Sequence, residues 1–177
     1  MTFPDGLLIL LNTLLLRGGV DLMKLRLIWP GKCRQPHLLY LLQQYQQRIN
    51  RYFPCEIVET ATAKGLSERE KQKILKIEGE SIAKNLQPGY IICLSDQGEE
   101  MNSEEWRDFL ARLFNSSVKT VNFVVGGFLG LEESILKQAD KVISLSRMTF
   151  SHETIRLMLV EQLYRAITMI QGLKYAK

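Results

Sequence analysis

The stretch FVVGGFLGLEES, Phe123 to Ser134, combines an apolar strand, a glycine turn and an acidic helix start. Phosphate-binding loops often have this order, but the turn GGFLG matches neither G-x-G-x-x-G nor a P-loop, since no Gly-Lys-Ser/Thr follows. A helix N-terminus carries about half a positive charge and favours anions. Because Glu132 and Glu133 already occupy that position, a pyrophosphate would meet like charge. The stretch therefore predicts either a tight turn alone or a close main-chain approach to a neutral or cationic ligand, such as an adenosine or a sulfonium.

Outward from this stretch, strand and helix patterns alternate along the chain. Strands are predicted over residues 24–29, 55–60, 90–95, 120–125 and 141–146, and helices over 37–53, 67–86, 103–114, 131–139 and 151–171. This alternation predicts parallel strands joined by helical crossovers, hence an α/β fold, an α/β sandwich around a parallel sheet. Ligands bind such sheets at the carboxyl ends of the strands. The loops after Ser95, Val125 and Ser144 are therefore the candidate site.

The composition is that of an ordinary globular protein of one domain. The 177 residues are 46% hydrophobic and 24% charged, and the net charge of +4 favours a polyanionic partner without requiring one. Cys33, Cys55 and Cys93 are odd in number and widely spaced, which predicts reduced thiols in a cytoplasmic protein and not a disulfide framework. With two histidines and no G-x-S-x-G pattern, neither a metal site nor a serine hydrolase is supported.

The first 22 residues differ from the rest. The run LLILLNTLLL, residues 7–16, is shorter than the roughly 20 apolar residues that span a bilayer. Asp5 is the only charge before this run, so the positive start of a signal peptide is missing. We interpret residues 1–22 as a spurious upstream start or a dispensable extension, and Met23 as the opening of the functional domain. An amphipathic or membrane-touching helix is the alternative.

A second polar segment, SLSRMTFSHETIR, covers residues 144–156 and joins a buried strand to the last helix. Ser151 is a candidate helix N-cap, and His152 falls in the first helical turn. The charged stretch at residues 63–76 interleaves lysines with glutamates, which predicts a solvated helix face and not an RNA-binding stripe. Trp106 and Tyr164 lie in apolar helical registers and are predicted to be packing residues.

Three segments in this order, YIICLSDQGEEMNSEEW, FVVGGFLG and ISLSRMTFSHETIRLMLVEQLYRA, together resemble the RlmH-type SPOUT methyltransferases. The similarity covers residues 23–177 and implies that they form one SPOUT methyltransferase domain. It implies an S-adenosylmethionine-dependent enzyme that methylates N3 of a pseudouridine in 23S ribosomal RNA. It also implies a homodimer acting on the assembled 70S ribosome, a C-terminal trefoil knot, and no metal or membrane partner.

The resemblance also assigns residues. The cofactor contacts it implies are Leu94, Gly126, Leu145, Ser146, Arg147, Met148, Thr149 and Phe150. It places His152, Arg156, Glu161, Tyr164 and Arg165 on the helix at the dimer interface and near the RNA. Tyr175 matches the tyrosine of the family's terminal Tyr-His-Arg/Lys motif. The chain departs from that motif at Ala176, which stands where the family has histidine, while Lys177 keeps the final positive charge.

Methylation at N3 needs the N3 proton removed as nitrogen attacks the sulfonium methyl group. With Ala176 unable to accept a proton, Tyr175, His152 or a water molecule remain. Arg156 and Lys177 are the candidates that stabilise the enolate-like charge or hold phosphates. Two alternatives stay open: another SPOUT enzyme that acts on a transfer-RNA base or a ribose, and a cofactor- or ribosome-binding homologue that has lost turnover.

Overall fold

The computed structural model describes residues 23–173. Its strands are β1 (Lys24–Pro30), β2 (Cys55–Thr60), β3 (Tyr90–Glu100), β4 (Thr120–Val125) and β5 (Lys141–Ser144). Its helices are α1 (Pro36–Ile49), α2 (Lys71–Ala83), α3 (Ser103–Phe114), α4 (Glu133–Leu136) and α5 (His152–Ile170), with a 3₁₀ turn at Glu68–Glu70. No helix in this described range is long and apolar enough to cross a membrane. The extension at residues 1–22 lies outside it.

The five strands form one sheet in the order β2-β1-β4-β3-β5, and every neighbouring pair is parallel. β1 and β4 lie at the centre, where Leu25 pairs with Cys55 on one side and Val121 on the other. Parallel neighbours need crossover connections, and the helices between the strands supply them. The predicted α/β sandwich around a parallel sheet is confirmed, while the trefoil knot stays a prediction.

Side chains alternate between the two faces of the sheet and build two cores. On one face, Leu25, Leu27 and Phe123 belong to a large apolar cluster that includes residues of α1, α3 and α5. On the other, Ile28 and Val124 pack in a smaller cluster with residues of α2 and α4. Because both faces are covered, the central strands are almost continuously apolar, as expected for a parallel sheet. Trp106 is buried in the larger cluster, as predicted.

Most of the predicted elements are found within a few residues of their predicted limits, and β3 and α4 differ most. β3 was predicted to end at Ser95 but continues to Glu100, because Ile143 of β5 pairs with Leu94 and again with Glu99. Residues 95–98 therefore leave the regular ladder between these two pairings. α4 was predicted over residues 131–139 and is only a four-residue helix, Glu133–Leu136.

A buried polar cluster lies on the α2 face of the two central strands. The Asn122 side chain accepts hydrogen bonds from Arg26 Nη1 at 3.2 Å and from the Gln87 N–H at 3.3 Å, and donates to the Gln87 carbonyl at 2.9 Å. Arg26 also donates to the Asn85 carbonyl and pairs with Glu56. Asn122 thus links β4 to β1 and to the segment that precedes β3.

Asn122→Ala is expected to lower the free energy of unfolding by about 2–3 kcal/mol, because it leaves a buried guanidinium N–H and the Gln87 main chain unpaired. Urea denaturation of the purified protein measures the change. Asn115→Ala, at an exposed residue after α3, is the matched control and should change stability by less than about 0.5 kcal/mol. Equal effects of the two substitutions would contradict this role for Asn122.

Candidate active site

A cleft of about 650 Å³ lies where the carboxyl ends of β3, β4 and β5 meet. It is lined by residues 94–96, 125–131, 143–146 and 148–152, together with Lys71 and Ile155. All three loops that the sequence selected after Ser95, Val125 and Ser144 contribute to it. Its volume falls in the range of clefts that bind small molecules and cofactors, roughly 300–1,000 Å³.

The glycine turn after β4 forms one wall of the cleft. The Gly130 N–H donates to the Gly127 carbonyl at 3.1 Å, and Gly130 has a φ of 85°, which favours glycine. A Cβ added to Gly126 would lie 2.4 Å from the carbonyl carbon and oxygen of Gly130. The glycine at 126 therefore allows the chain to fold back on itself, which is the tight turn that the sequence predicted as one of two possibilities.

The two glutamates at the start of α4 interact with residues of that same helix. The Glu132 carboxylate accepts a hydrogen bond from the Ser134 N–H at 3.0 Å and thereby caps the helix. Glu133 pairs with Lys137 at 2.7 Å, one turn along. Both carboxylates thus complement the dipole of α4, and neither of them is among the residues that line the cleft.

The irregular segment of β3 contributes polar groups that sequence reasoning missed. Ser95 and Asp96 line the cleft, and the Ser95 hydroxyl accepts a hydrogen bond from the Gln97 N–H at 3.2 Å. A Cβ on Gly98 would lie 2.3 Å from the carbonyl carbon of Ile143, so this segment returns directly onto β5. The glycine in SDQGEE was the available signal, since an isolated glycine in a strand pattern often marks a bulge.

The loop of residues 145–150 forms the opposite wall. The Ser144 hydroxyl donates to the Ser146 carbonyl at 2.9 Å, and the Ser146 hydroxyl accepts from the Met148 N–H at 2.9 Å. Among residues 147–150, the Met148 N–H is the one main-chain group with a hydrogen bond inside the described part of the chain. The other main-chain donors and acceptors of these four residues are available to a ligand.

The side chains of this loop differ in whether they line the cleft. Arg147 is 90% exposed and pairs through Nε with Glu100 at 3.1 Å, and it is the one member of residues 145–150 that does not line the cleft. Met148 and Phe150 are 74% and 39% exposed, and Phe128 of the glycine turn is 52% exposed. The cleft is therefore bordered by large apolar side chains.

The last helix begins beside the cleft with a capped first turn. The Ser151 hydroxyl accepts a hydrogen bond from the Thr154 N–H at 3.2 Å, which confirms Ser151 as the N-cap. His152 lines the cleft. Burial lowers the pKa of its imidazole, and the positive charge of Arg156 adds to this effect while Glu153 opposes it. The neutral form of His152 is thus favoured near pH 7.

Glu153 has a role that the sequence did not suggest. Its buried carboxylate accepts hydrogen bonds from the Arg34 N–H at 3.0 Å, the Gln35 N–H at 3.1 Å and the Cys33 thiol at 3.3 Å. Burial raises the pKa of Glu153, but these three donors together bring it below its ordinary value. The start of α5 is thereby tied to the segment between β1 and α1.

Arg156, predicted to stabilise charge during the reaction, is only 1% exposed. Its Nη2 donates to the Pro30 carbonyl at 2.6 Å and its Nη1 to the Gly31 carbonyl at 3.3 Å, and the guanidinium lies 5.3 Å from the centre of the Trp29 ring. In this arrangement Arg156 holds the carboxyl end of β1 and is not among the residues that line the cleft.

Residues predicted at the dimer interface lie farther along α5. Arg165 pairs with Glu161 at 2.8 Å, and the Tyr164 ring lies 5.9 Å from the Tyr45 ring of α1. Tyr164 therefore lies on the α1 side of the helix, and neither Tyr164 nor Arg165 lines the cleft. Tyr175, Ala176 and Lys177 lie outside the described residues. Within residues 23–173, no group of three or more His, Cys, Asp or Glu side chains is placed to hold a metal ion.

The sequence is similar to a known family of proteins. Residues 23–176 match the family described as "Predicted SPOUT methyltransferase". The chain belongs to the SPOUT methyltransferase family. It is therefore an enzyme that transfers methyl groups, and S-adenosylmethionine is its cofactor.

Two relatives illustrate how far the similarity extends. Ribosomal RNA large subunit methyltransferase H of Bacteroides thetaiotaomicron is 41% identical over 158 residues, which are 86% of this chain and 98% of that protein. The protein of the same name from Streptococcus equi subsp. zooepidemicus is 36% identical over 159 residues, 88% of this chain and all of its own length.

A solved structure supports the fold. A probable methylase family protein from Haemophilus influenzae superposes with a TM-score of 0.50, covering 86% of this chain and 70% of its own, at 13% sequence identity.

The cleft fits S-adenosylmethionine on two grounds. It has the volume of a cofactor site, and residues 148–150, which line it, have main-chain groups without a hydrogen-bond partner in the described part of the chain. Leu94, Gly126 and five of the six predicted residues 145–150 lie in it. The assignment of these individual residues to the cofactor stays a prediction.

Gly126→Ala is expected to weaken S-adenosylmethionine binding and to lower stability by about 2–3 kcal/mol, because the new methyl group overlaps Gly130 and displaces the turn. Isothermal titration calorimetry and thermal unfolding measure the two effects. Gly130→Ala is the matched control: its Cβ would meet nothing within 4 Å, so only backbone strain of about 1 kcal/mol is expected. Unchanged cofactor affinity in Gly126→Ala would contradict a binding role for this turn.

Proposed function

We propose that this methyltransferase methylates N3 of a pseudouridine in 23S ribosomal RNA, acting on the assembled 70S ribosome in the cytoplasm. The observation that carries this proposal is the agreement with relatives named ribosomal RNA large subunit methyltransferase H over nearly their whole length. The cleft at the ends of β3, β4 and β5 supplies the cofactor site. The wider alternative, another RNA target, makes use of the same cleft.

In the proposed mechanism, main-chain groups that line the cleft would hold the cofactor. Leu94 and Gly126 line the floor between the strands, and Leu145, Ser146, Met148, Thr149 and Phe150 enclose the other side. Bound S-adenosylmethionine would supply the methyl group, and a base in the cleft would have to accept the N3 proton of the pseudouridine. Holding both reactants in line supplies much of the rate.

His152 is the described residue that fits the role of base. It lines the cleft, and its lowered pKa keeps the imidazole neutral and able to accept a proton near pH 7. A catalytic base works best when its pKa lies near the working pH. Tyr175 and a water molecule are the remaining candidates, and Lys177 is proposed to stabilise charge or hold a phosphate.

A homodimer is part of the proposal. Leu39, Tyr40 and Leu41 of α1 are exposed apolar side chains, and α1 packs directly on α5. An apolar surface of this kind on a helix pair suits contact with a second copy. Tyr164 of α5 is among the residues that the resemblance assigns to this interface, and its ring lies 5.9 Å from the Tyr45 ring of α1.

A methylation assay tests the substrate. Purified protein and labelled S-adenosylmethionine are incubated with 70S ribosomes that lack the modification, with free 23S RNA, or with transfer RNA, and products are mapped by mass spectrometry. Label at one pseudouridine of intact ribosomes, and little on either free RNA, is the expected result. Label on transfer RNA would contradict the proposed target.

A second candidate, a cofactor- or ribosome-binding protein without turnover, is favoured by one observation, the alanine at position 176. The same methylation assay distinguishes this candidate from an active methyltransferase. Cofactor binding without label on any RNA would support the protein without turnover. The variant Ala176→His then tests whether the alanine in the C-terminal tail is the reason for the missing methyl transfer. A large gain in the rate of methyl transfer in that variant would assign the loss of activity to position 176.

The rate of methyl transfer is expected to fall as the pH falls through the pKa of His152, which burial and the charge of Arg156 hold below its ordinary value. The protonated imidazole cannot accept the N3 proton, so the active fraction declines on the acid side. His152→Ala should lower the single-turnover rate roughly 10²–10⁴-fold and remove this acid limb. His37→Ala, at an exposed residue of α1, is the control. An unchanged pH profile in His152→Ala would assign the base to another group.

A further inference from the structure

A buried carboxylate lies next to the glycine turn and is not among the residues that line the cleft. Glu78 of α2 is only 6% exposed, and its Oε2 has no hydrogen-bond partner in the described part of the chain. A Cβ on Gly127 would lie 2.5 Å from that oxygen. Because Gly127 also lines the cleft, one residue without a side chain separates the carboxylate from the bound ligand.

The surroundings of Glu78 define its charge. Burial raises the pKa of Glu78 above its ordinary value, and a hydrogen bond from the Ala63 main chain and the positive charge of Arg156 offset only part of this rise. Arg156 directs its Nη atoms to the carbonyls of Pro30 and Gly31, so it acts on Glu78 through space. The unpaired oxygen therefore has no local donor and faces the glycine turn.

We propose that Glu78 is a specificity-determining residue that favours the positively charged sulfonium of S-adenosylmethionine over the neutral thioether of S-adenosylhomocysteine. The proposal rests on the cofactor assignment. The two ligands share the adenosine and amino-acid parts and differ in the methyl group and its charge. An anion behind Gly127 attracts the first ligand and has no comparable effect on the second.

The position makes this attraction effective. Charges interact more strongly inside a protein than in water, because the effective dielectric constant is lower. Glycine at 127 places only main-chain atoms between the carboxylate and the cleft. Once the methyl group leaves, the sulfur is neutral and the attraction is lost, so the residue favours exchange of product for fresh cofactor.

Isothermal titration calorimetry on the full chain tests this inference with S-adenosylmethionine and S-adenosylhomocysteine as separate ligands. Glu78→Gln keeps the shape of the side chain and removes its charge. The expected result is about a tenfold weaker affinity for S-adenosylmethionine, equivalent to about 1.4 kcal/mol, with the affinity for S-adenosylhomocysteine changed by less than about twofold. Glu80→Gln, an exposed carboxylate on the same helix, should leave both affinities unchanged.

The pattern of the two affinities decides the outcome. An equal loss for both ligands would mean that Glu78 only supports the turn and would overturn the inference, as would no change for either. If the unaltered protein binds neither ligand, the cofactor assignment itself fails. Glu78→Asp, which keeps the charge and moves it away by one methylene group, gives a second measurement if Glu78→Gln does not fold: the preference for S-adenosylmethionine should fall only partly.

Discussion

The contact between the first turns of α5 and the carboxyl end of β1 fixes the geometry on which the active site depends. Glu153 accepts hydrogen bonds from the main chain of Arg34 and Gln35, and Arg156, three residues later, donates to the carbonyls of Pro30 and Gly31. Hydrogen bonds to charged groups contribute about 1.5–3 kcal/mol each, and a buried charge that loses its partners is strongly destabilising. The 145–150 loop leads directly into this helix, so its end is held in place.

The opposite wall depends on close packing around glycines. Gly126 lies against Gly130, Gly127 lies against Glu78, and a Cβ on Gly79 of α2 would be 2.9 Å from the Cβ of Glu132. These approaches bring α2, the glycine turn and the start of α4 together behind the cleft. Protein interiors at this density adjust poorly to an added methyl group. The wall therefore has little room for larger side chains, because its glycines let neighbouring segments pack closely.

The sequence predicted the elements that depend on local patterns and missed the features that depend on distant partners. The strand at Thr120–Val125 and the helix at Ser103–Phe114 were found with their limits unchanged, since apolar periodicity and capping are local signals. The extension of β3 arises from its second pairing with Ile143, more than 40 residues later in the chain. Glu153 could not be recognised either, because its partners at residues 33–35 lie 118–120 residues away.

The site was predicted in two steps of different kinds. The two glutamates after the glycine turn excluded a phosphate ligand from electrostatics alone, and Glu132 does cap α4. The assignment of the 145–150 loop came from the family resemblance, because its open main-chain groups leave no pattern in the residue types. The order of the strands thus located both walls of the cleft, while the assignment of individual residues of the 145–150 loop to the cofactor needed information from related proteins.

The arrangement of charges on α5 connects the stability of the fold to the proposed chemistry. Arg156 was predicted to stabilise the enolate-like charge or to hold a phosphate, and this role stays a prediction. Its guanidinium is buried against β1, and its positive charge lowers the pKa of His152. Glu153 opposes this shift, but its carboxylate is engaged by three donors of the β1–α1 segment. Burial and Arg156 therefore prevail, so the guanidinium that holds α5 to the sheet also favours the neutral form of His152, the proposed base.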